Sequence, residues 1–159
     1  MTTIRLETPI DAPAERVFDL ARSVTLRENA LQSYHLRATA GVTGDLQRPG
    51  SSIAWSVRFF GVPVSYTMKL VTYSRPRHFR ERMVEGPFER LLHDRFFEPR
   101  EEGGTLLRDV YTFESPLGPL GDVADSVYLE GYLGELLERV NAELRYAAET
   151  NRWRGYLGE

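Results

Sequence analysis

Between Pro119 and about Ala148 the chain carries the one apolar repeat long and regular enough for a principal helix. Leu129, Leu133, Leu136, Leu137, Val140, Leu144 and Ala147 recur at three- and four-residue steps, which lines them along one face of a 3.6-residue helix. Gly118-Pro119 suits its cap and first position, where a missing amide proton is harmless. Asp122 and Asp125 fall near the positive end of the dipole, and Arg139 and Arg145 toward the negative end. At a rise of ~1.5 Å per residue such a helix runs about 45 Å, enough to cross a small domain. The rest reads mostly as strands, so the stripe needs a sheet to lie on. Gly131 and Gly134 interrupt the helix near its apolar face, each at a cost of about 1 kcal/mol relative to alanine. They are compatible with close packing on the sheet, or with a helix that roofs an internal cavity.

The strands follow from alternation. Thr2–Ile10 places Ile4, Leu6, Thr8 and Ile10 on one side. Asp11-Ala12-Pro13 ends that strand and opens a short helix with Val17, Phe18, Leu20 and Ala21 buried, and a second helical piece is expected around Leu26–Gln32. Strands are then expected at Tyr34–Val42, Ser52–Phe60, Val64–Tyr73, His78–Glu85, Phe88–Glu98 and Thr105–Phe113, joined by short glycine- and proline-containing turns. Short turns between successive strands give an antiparallel meander. The expected class is α+β: about seven curved antiparallel strands, two short helices after the first strand and the long C-terminal helix.

With 159 residues the chain is read as one domain over 1–150, followed by a polar C-terminal tail, 151–159, with Trp153, Tyr156 and Leu157 as packing anchors. A net charge of -3 argues against a nucleic-acid surface. The absence of cysteine excludes disulfides, thiolate nucleophiles and cysteine-ligated metals. The first residues lack the apolar run of a secretory signal, and no segment approaches ~20 consecutive apolar residues, so a cytoplasmic location without stable membrane insertion is expected. Protein partners are not indicated.

Charged residues fall on faces that alternation makes inward. Glu81 and Glu85 share a side with Phe79 and Met83; His93 and Arg95 share one with Leu91 and Phe97; Asp109 lies between Leu107 and Tyr111. Buried charges are normally paired. The set reads either as a structural network closing one end of an interior space, or as groups that orient a polar ligand head or transfer protons. His93, Asp109 and Glu85 are the candidates for acid–base chemistry, since an imidazole beside a carboxylate can exchange protons near neutral pH. His35, His78 and His93 have no compact metal-ligand spacing, and no nucleophile elbow, phosphate loop or dinucleotide fingerprint occurs, so neither metal nor cofactor is expected.

Three segments carry a family resemblance: Ile10-Asp11-Ala12-Pro13-Ala14-Glu15-Arg16-Val17-Phe18, Trp55-Ser56-Val57-Arg58-Phe59-Phe60-Gly61-Val62-Pro63, and Glu85-Gly86-Pro87-Phe88 followed by His93 and Gly104-Thr105-Leu106-Leu107-Arg108-Asp109. With the element order, these make the chain resemble the START/SRPBCC superfamily, which includes polyketide cyclases, dehydratases and lipid-transport proteins, and in particular its ligand-binding SRPBCC branch. The resemblance implies a helix-grip fold with a small hydrophobic or amphipathic molecule held between the sheet and the C-terminal helix. It leaves a cyclase/dehydratase-type enzyme as the alternative, because the fold hosts both. Ligand chambers of this kind typically measure ~300–1,000 Å³. The residues expected to line one are Trp55, Val57, Phe59, Tyr66, Met68, Glu81, Met83, Glu85, Leu91, His93, Arg95, Phe97, Leu107, Asp109, Tyr128, Gly131, Gly134 and Leu137.

Overall fold

The computed structural model describes residues 1–114 and 126–158. Its strands are β1 (Thr2–Ile10), β2 (Arg37–Gly41), β3 (Ser52–Phe59), β4 (Val62–Ser74), β5 (His78–Glu85), β6 (Leu91–Pro99) and β7 (Thr105–Phe113). The helices are α1 (Ala14–Ala21), α2 (Val24–Ala30), α3 (Ser126–Glu149) and α4 (Trp153–Leu157), with one 3-10 turn at Gln32–Tyr34. All seven strands form one antiparallel sheet in the order β1-β7-β6-β5-β4-β3-β2. Register shifts leave Thr39 of β2, Val71 of β4 and Val84 of β5 as extra residues, irregularities of the kind that bend a strand. The curved sheet lies against the long helix α3, with α1 and α2 following β1.

The expected meander is present with several boundaries moved: the strand expected from Phe88 begins at Leu91, and the one expected from Val64 begins at Val62. The expected strand Tyr34–Val42 begins only at Arg37, because Gln32–Tyr34 closes into the 3-10 turn and His35 turns left-handed with φ of 57°. The helix after Ala21 starts at Val24, two residues early, because the Ser23 hydroxyl accepts the Leu26 amide and caps it. Within the polar tail Trp153–Leu157 forms α4, its Tyr156 hydroxyl accepting from Asn29 and donating to Glu143. Gly118-Pro119 and the acids Asp122 and Asp125, expected at the head of the long helix, lie outside the described residues.

Packing divides the interior into two apolar clusters. One gathers Trp55, Val57, Phe59, Met68, Leu91 and Phe113 beneath Leu129, Leu133, Leu136 and Val140 in the first part of α3. The other gathers Ile10, Phe18, Leu70, Phe79, Phe97 and Leu107 beneath Leu144, Ala147 and Ala148 in its last part. Phe18 of α1 anchors this second cluster, meeting Tyr73, Phe79 and Phe97 edge-on with ring centroids 5.0–5.4 Å apart. Between the clusters the inward positions are polar. Glu81, His93, Arg95, Asp109 and Asn141 are all buried. Strand register accounts for their grouping, since Glu81 lies opposite His93 and Arg95 opposite Asp109. A belt of charge therefore crosses the core where the two apolar clusters meet.

Candidate functional site

The belt is built around Asp109, whose side chain is fully buried. Its Oδ1 accepts from His93 Nε2 at 2.7 Å and from Arg95 Nε at 2.8 Å, and its Oδ2 accepts from Asn141 Nδ2 at 2.7 Å. Arg95 Nη2 donates to Asn141 Oδ1 at 2.5 Å, closing a ring across β6, β7 and α3, and Asn141 Nδ2 also reaches Thr8 Oγ1 of β1 at 3.2 Å. Burial pushes the Asp109 carboxyl up, but the Arg95 charge and the hydrogen bonds from His93 and Asn141 outweigh it and hold the group down at about 2. Asp109 is thus a fixed carboxylate.

A second ion pair stands nearby. Arg27, from the inward side of α2, grips both carboxylate oxygens of Glu81: Nη1 donates to Oε2 at 3.1 Å and Nη2 donates to Oε1. Burial pushes Glu81 up while the Arg27 charge and hydrogen bond bring it below the ordinary carboxylate range. Burial likewise lowers Arg95, which the Asp109 charge opposes.

Against this belt, toward the first cluster, lies a cavity of about 100 Å³. Its apolar wall comes from Trp55, Val57 and Phe59 of β3, Met68 of β4, Leu91 of β6, Leu31 and Leu36 flanking the 3-10 turn, and Leu133, Leu136, Leu137 and Val140 of α3. Its polar end is formed by Arg27, Tyr66, Glu81, His93, Arg95 and Tyr111. This volume is below the ~300–1,000 Å³ of typical ligand chambers. Large side chains, Trp55, Phe59, Tyr66 and Tyr111 among them, stand in its wall and take up the space. It still exceeds what one ordered water needs, roughly 10–15 Å³ on the same measure, and approaches the roughly 150 Å³ of an engineered dry cavity that takes benzene.

The hairpin tip between β3 and β4 meets α3 beside the cavity. Phe60 and Gly61 occupy the left-handed region, with φ of 53° and 78°, as a two-residue hairpin turn requires. Phe60 stacks on Tyr132 at 4.0 Å between centroids and on Tyr128 at 5.5 Å, and its amide donates to the Tyr132 hydroxyl at 3.1 Å. The Tyr132 ring also meets Tyr34 and Phe59 edge-on.

Of the residues expected at a site, the cavity wall brings together Trp55, Val57, Phe59, Tyr66, Met68, Glu81, Leu91, His93, Arg95 and Leu137, with Asp109 directly behind His93 and Arg95. Others stand elsewhere. Glu85 is exposed at the end of β5, past the extra residue Val84 that breaks its alternation with Glu81. Phe97 and Leu107 belong to the second cluster, across the belt. Met83 is half-buried at the edge of the first cluster, and Tyr128 is 61% exposed, covering Phe60 from outside. Gly131 is exposed and Gly134 half-buried, and a methyl group at either would meet nothing within 4 Å. Gly131 therefore does not make room beneath the helix.

Sequence reasoning missed Arg27, Leu31, Leu36, Tyr111 and Leu136 as wall residues, and Asn141 behind the wall, while Leu133 and Val140 were expected on the inward face of the helix. Two of these left a signal. Asn141 is four residues after Leu137 and three before Leu144, a polar residue within the apolar stripe; Arg27 is three after Val24 and four before Leu31, on the buried side of α2. Among the described residues no cluster of His, Asp or Glu is arranged to hold a metal ion, and no helix is long and apolar enough to cross a membrane.

Solved structures share this architecture. The Zhui aromatase/cyclase from Streptomyces sp. R1128 superposes with a TM-score of 0.73 at 14% identity, covering 93% of each chain. A START superfamily protein from Mycobacterium smegmatis gives 0.69 at 13%, covering 92% of this chain and 97% of its own. The major latex-like protein 151 of Panax ginseng gives 0.66 at 14%, covering 94% and 98%. At such identities the likeness is one of fold. No curated protein matches the chain in sequence. The family model for polyketide cyclase / dehydrase and lipid transport matches residues 1–149, nearly the whole length, and the chain belongs to that family.

Proposed function

We propose that this protein binds a small hydrophobic or amphipathic molecule in the cavity between the sheet and α3, to carry, sequester or sense it. The observation that carries the reading is an apolar chamber of about 100 Å³ closed at one end by a fully paired polar belt. Trp55, Val57, Phe59, Met68, Leu91 and Leu137 supply apolar contact, at ~25 cal/mol per Å² buried. Tyr66, His93 and the ion pairs fix which end of the guest lies where. At about 100 Å³ the chamber is smaller than the roughly 150 Å³ that takes benzene, so a guest of one ring enters only as wall side chains move apart.

Native mass spectrometry of protein purified from its own host should show a retained small molecule, and Val57→Phe, which fills the wall, should reduce its occupancy. Retention unchanged in Val57→Phe would place the guest elsewhere.

One observation favours an enzymatic reading beside this one. His93 stands in the cavity wall with Nε2 held by Asp109 at 2.7 Å, an arrangement that fixes an imidazole for proton transfer at its other nitrogen. On that reading the chain is a cyclase/dehydratase-type enzyme on a polyketide- or steroid-like substrate. His93→Gln then abolishes turnover while leaving binding within a few-fold; under pure binding no bound compound turns over.

A further inference from the structure

The reading of the cavity as a ligand site leaves open what kind of polar group its guest carries, and the charges at the closed end bear on this. Two guanidinium groups, Arg27 and Arg95, face two carboxylates, Glu81 and Asp109, and each is committed to its partner. These four charges sum to zero. An ionised guest would bring a fifth charge into a mostly apolar cavity where these four charges are already paired, and an uncompensated buried charge is strongly disfavoured.

What the belt leaves unused is two hydroxyl groups. Tyr66 and Tyr111 stand in the cavity wall, and neither phenol forms a hydrogen bond among the described residues. Burial raises both well above the ordinary phenol range, so both keep their protons and act as O–H donors. Both residues are half-buried, and an O–H in a cavity wall can donate to an acceptor carried by a guest. The ring of Tyr111 is held edge-on to His93 at 5.1 Å, and that of Tyr66 is stacked with Phe59 at 6.3 Å.

We propose that the cavity selects an uncharged guest bearing an acceptor oxygen, such as a ketone, aldehyde, quinone or ester carbonyl, which the Tyr66 and Tyr111 hydroxyls receive, and that it rejects carboxylates and amines of the same shape. This rests on the cavity being a ligand site, and the test separates the two claims.

Four one-ring probes of matched size, acetophenone, ethylbenzene, benzoate and benzylamine, are titrated into the protein at pH 8 by calorimetry. Acetophenone and ethylbenzene should bind, and benzoate and benzylamine should bind at least tenfold more weakly than acetophenone. In the Tyr66→Phe/Tyr111→Phe double variant acetophenone should weaken about tenfold, the scale of two lost hydrogen bonds, with ethylbenzene within twofold. Benzoate or benzylamine binding as well as acetophenone would overturn the selection for uncharged guests while leaving the cavity reading standing. An acetophenone affinity unchanged in the double variant would overturn the role of the phenols. No binding by either neutral probe would overturn both claims.

Discussion

At the scale of single residues, the belt's components differ in what their loss would do. Asp109 holds Arg95, His93 and Asn141 at once, and Arg95 is 1% exposed. Asp109→Ala leaves that guanidinium buried without its counter-charge, an effect on the order of 3–5 kcal/mol. Chemical denaturation should show the loss, and a change below about 1 kcal/mol would mean that Arg95 finds water. The same carboxylate sets an acid limit. A group held at about 2 when folded, against 3.8 for a free aspartate, contributes stability that is fully present above the free value and disappears as pH falls through the folded one. The term is about 2 kcal/mol. Unfolding free energy should therefore fall between pH 4 and 2, and Asp109→Asn should flatten the slope there. An equal slope in the variant would assign acid lability to Glu81 or to the surface pairs instead.

At the scale of elements, α3 joins both clusters, and its two faces respond differently to substitution. The stripe through Leu133, Leu137, Val140 and Leu144 is buried along its length. Gly131 is on the other side, exposed, with open space where a side chain would go. Gly131→Ala should thus stabilise the protein by about 1 kcal/mol through helix propensity alone, read as a rise in Tm, and leave ligand affinity unchanged. A loss of affinity would return the glycine to the cavity.

The same element shows what the sequence could and could not tell. Period-3.6 and period-2 patterns are set by burial on one face, so the helix, the strands and the inward placement of Glu81, His93, Arg95 and Asp109 were legible. The alternation failed for Glu85 because Val84 is an extra residue in the pairing of β5 with β4, and such a bulge is set by the partner strand rather than by the local apolar pattern. Phe97 and Leu107 were rightly read as inward, yet which of two clusters an inward residue joins depends on where the belt crosses the sheet. Arg27 was invisible as a partner because its contact with Glu81 spans 54 residues.

At the scale of the whole molecule, one long strip of core is cut by charge into a part that is filled and a part that is not. The second cluster is packed by interlocking aromatic rings around Phe18, which gives the sheet a rigid base. The first cluster, across the belt, carries the cavity, and its rim is held by the Phe60–Tyr132 stack between the hairpin tip and α3. On the proposed reading, folding and binding fall to opposite ends of one sheet. The belt is a hydrogen-bonded buried network for the fold and, if the proposed function holds, the polar end wall for the guest.

That division is tested most directly by methyl NMR of the protein titrated with ethylbenzene. The account predicts saturable shifts at Leu31, Val57, Leu133, Leu137 and Val140 around the cavity, with Leu20, Leu70, Leu107 and Leu144 of the second cluster unmoved. Shifts that do not saturate, or that appear at the second cluster and not at the cavity, would contradict it.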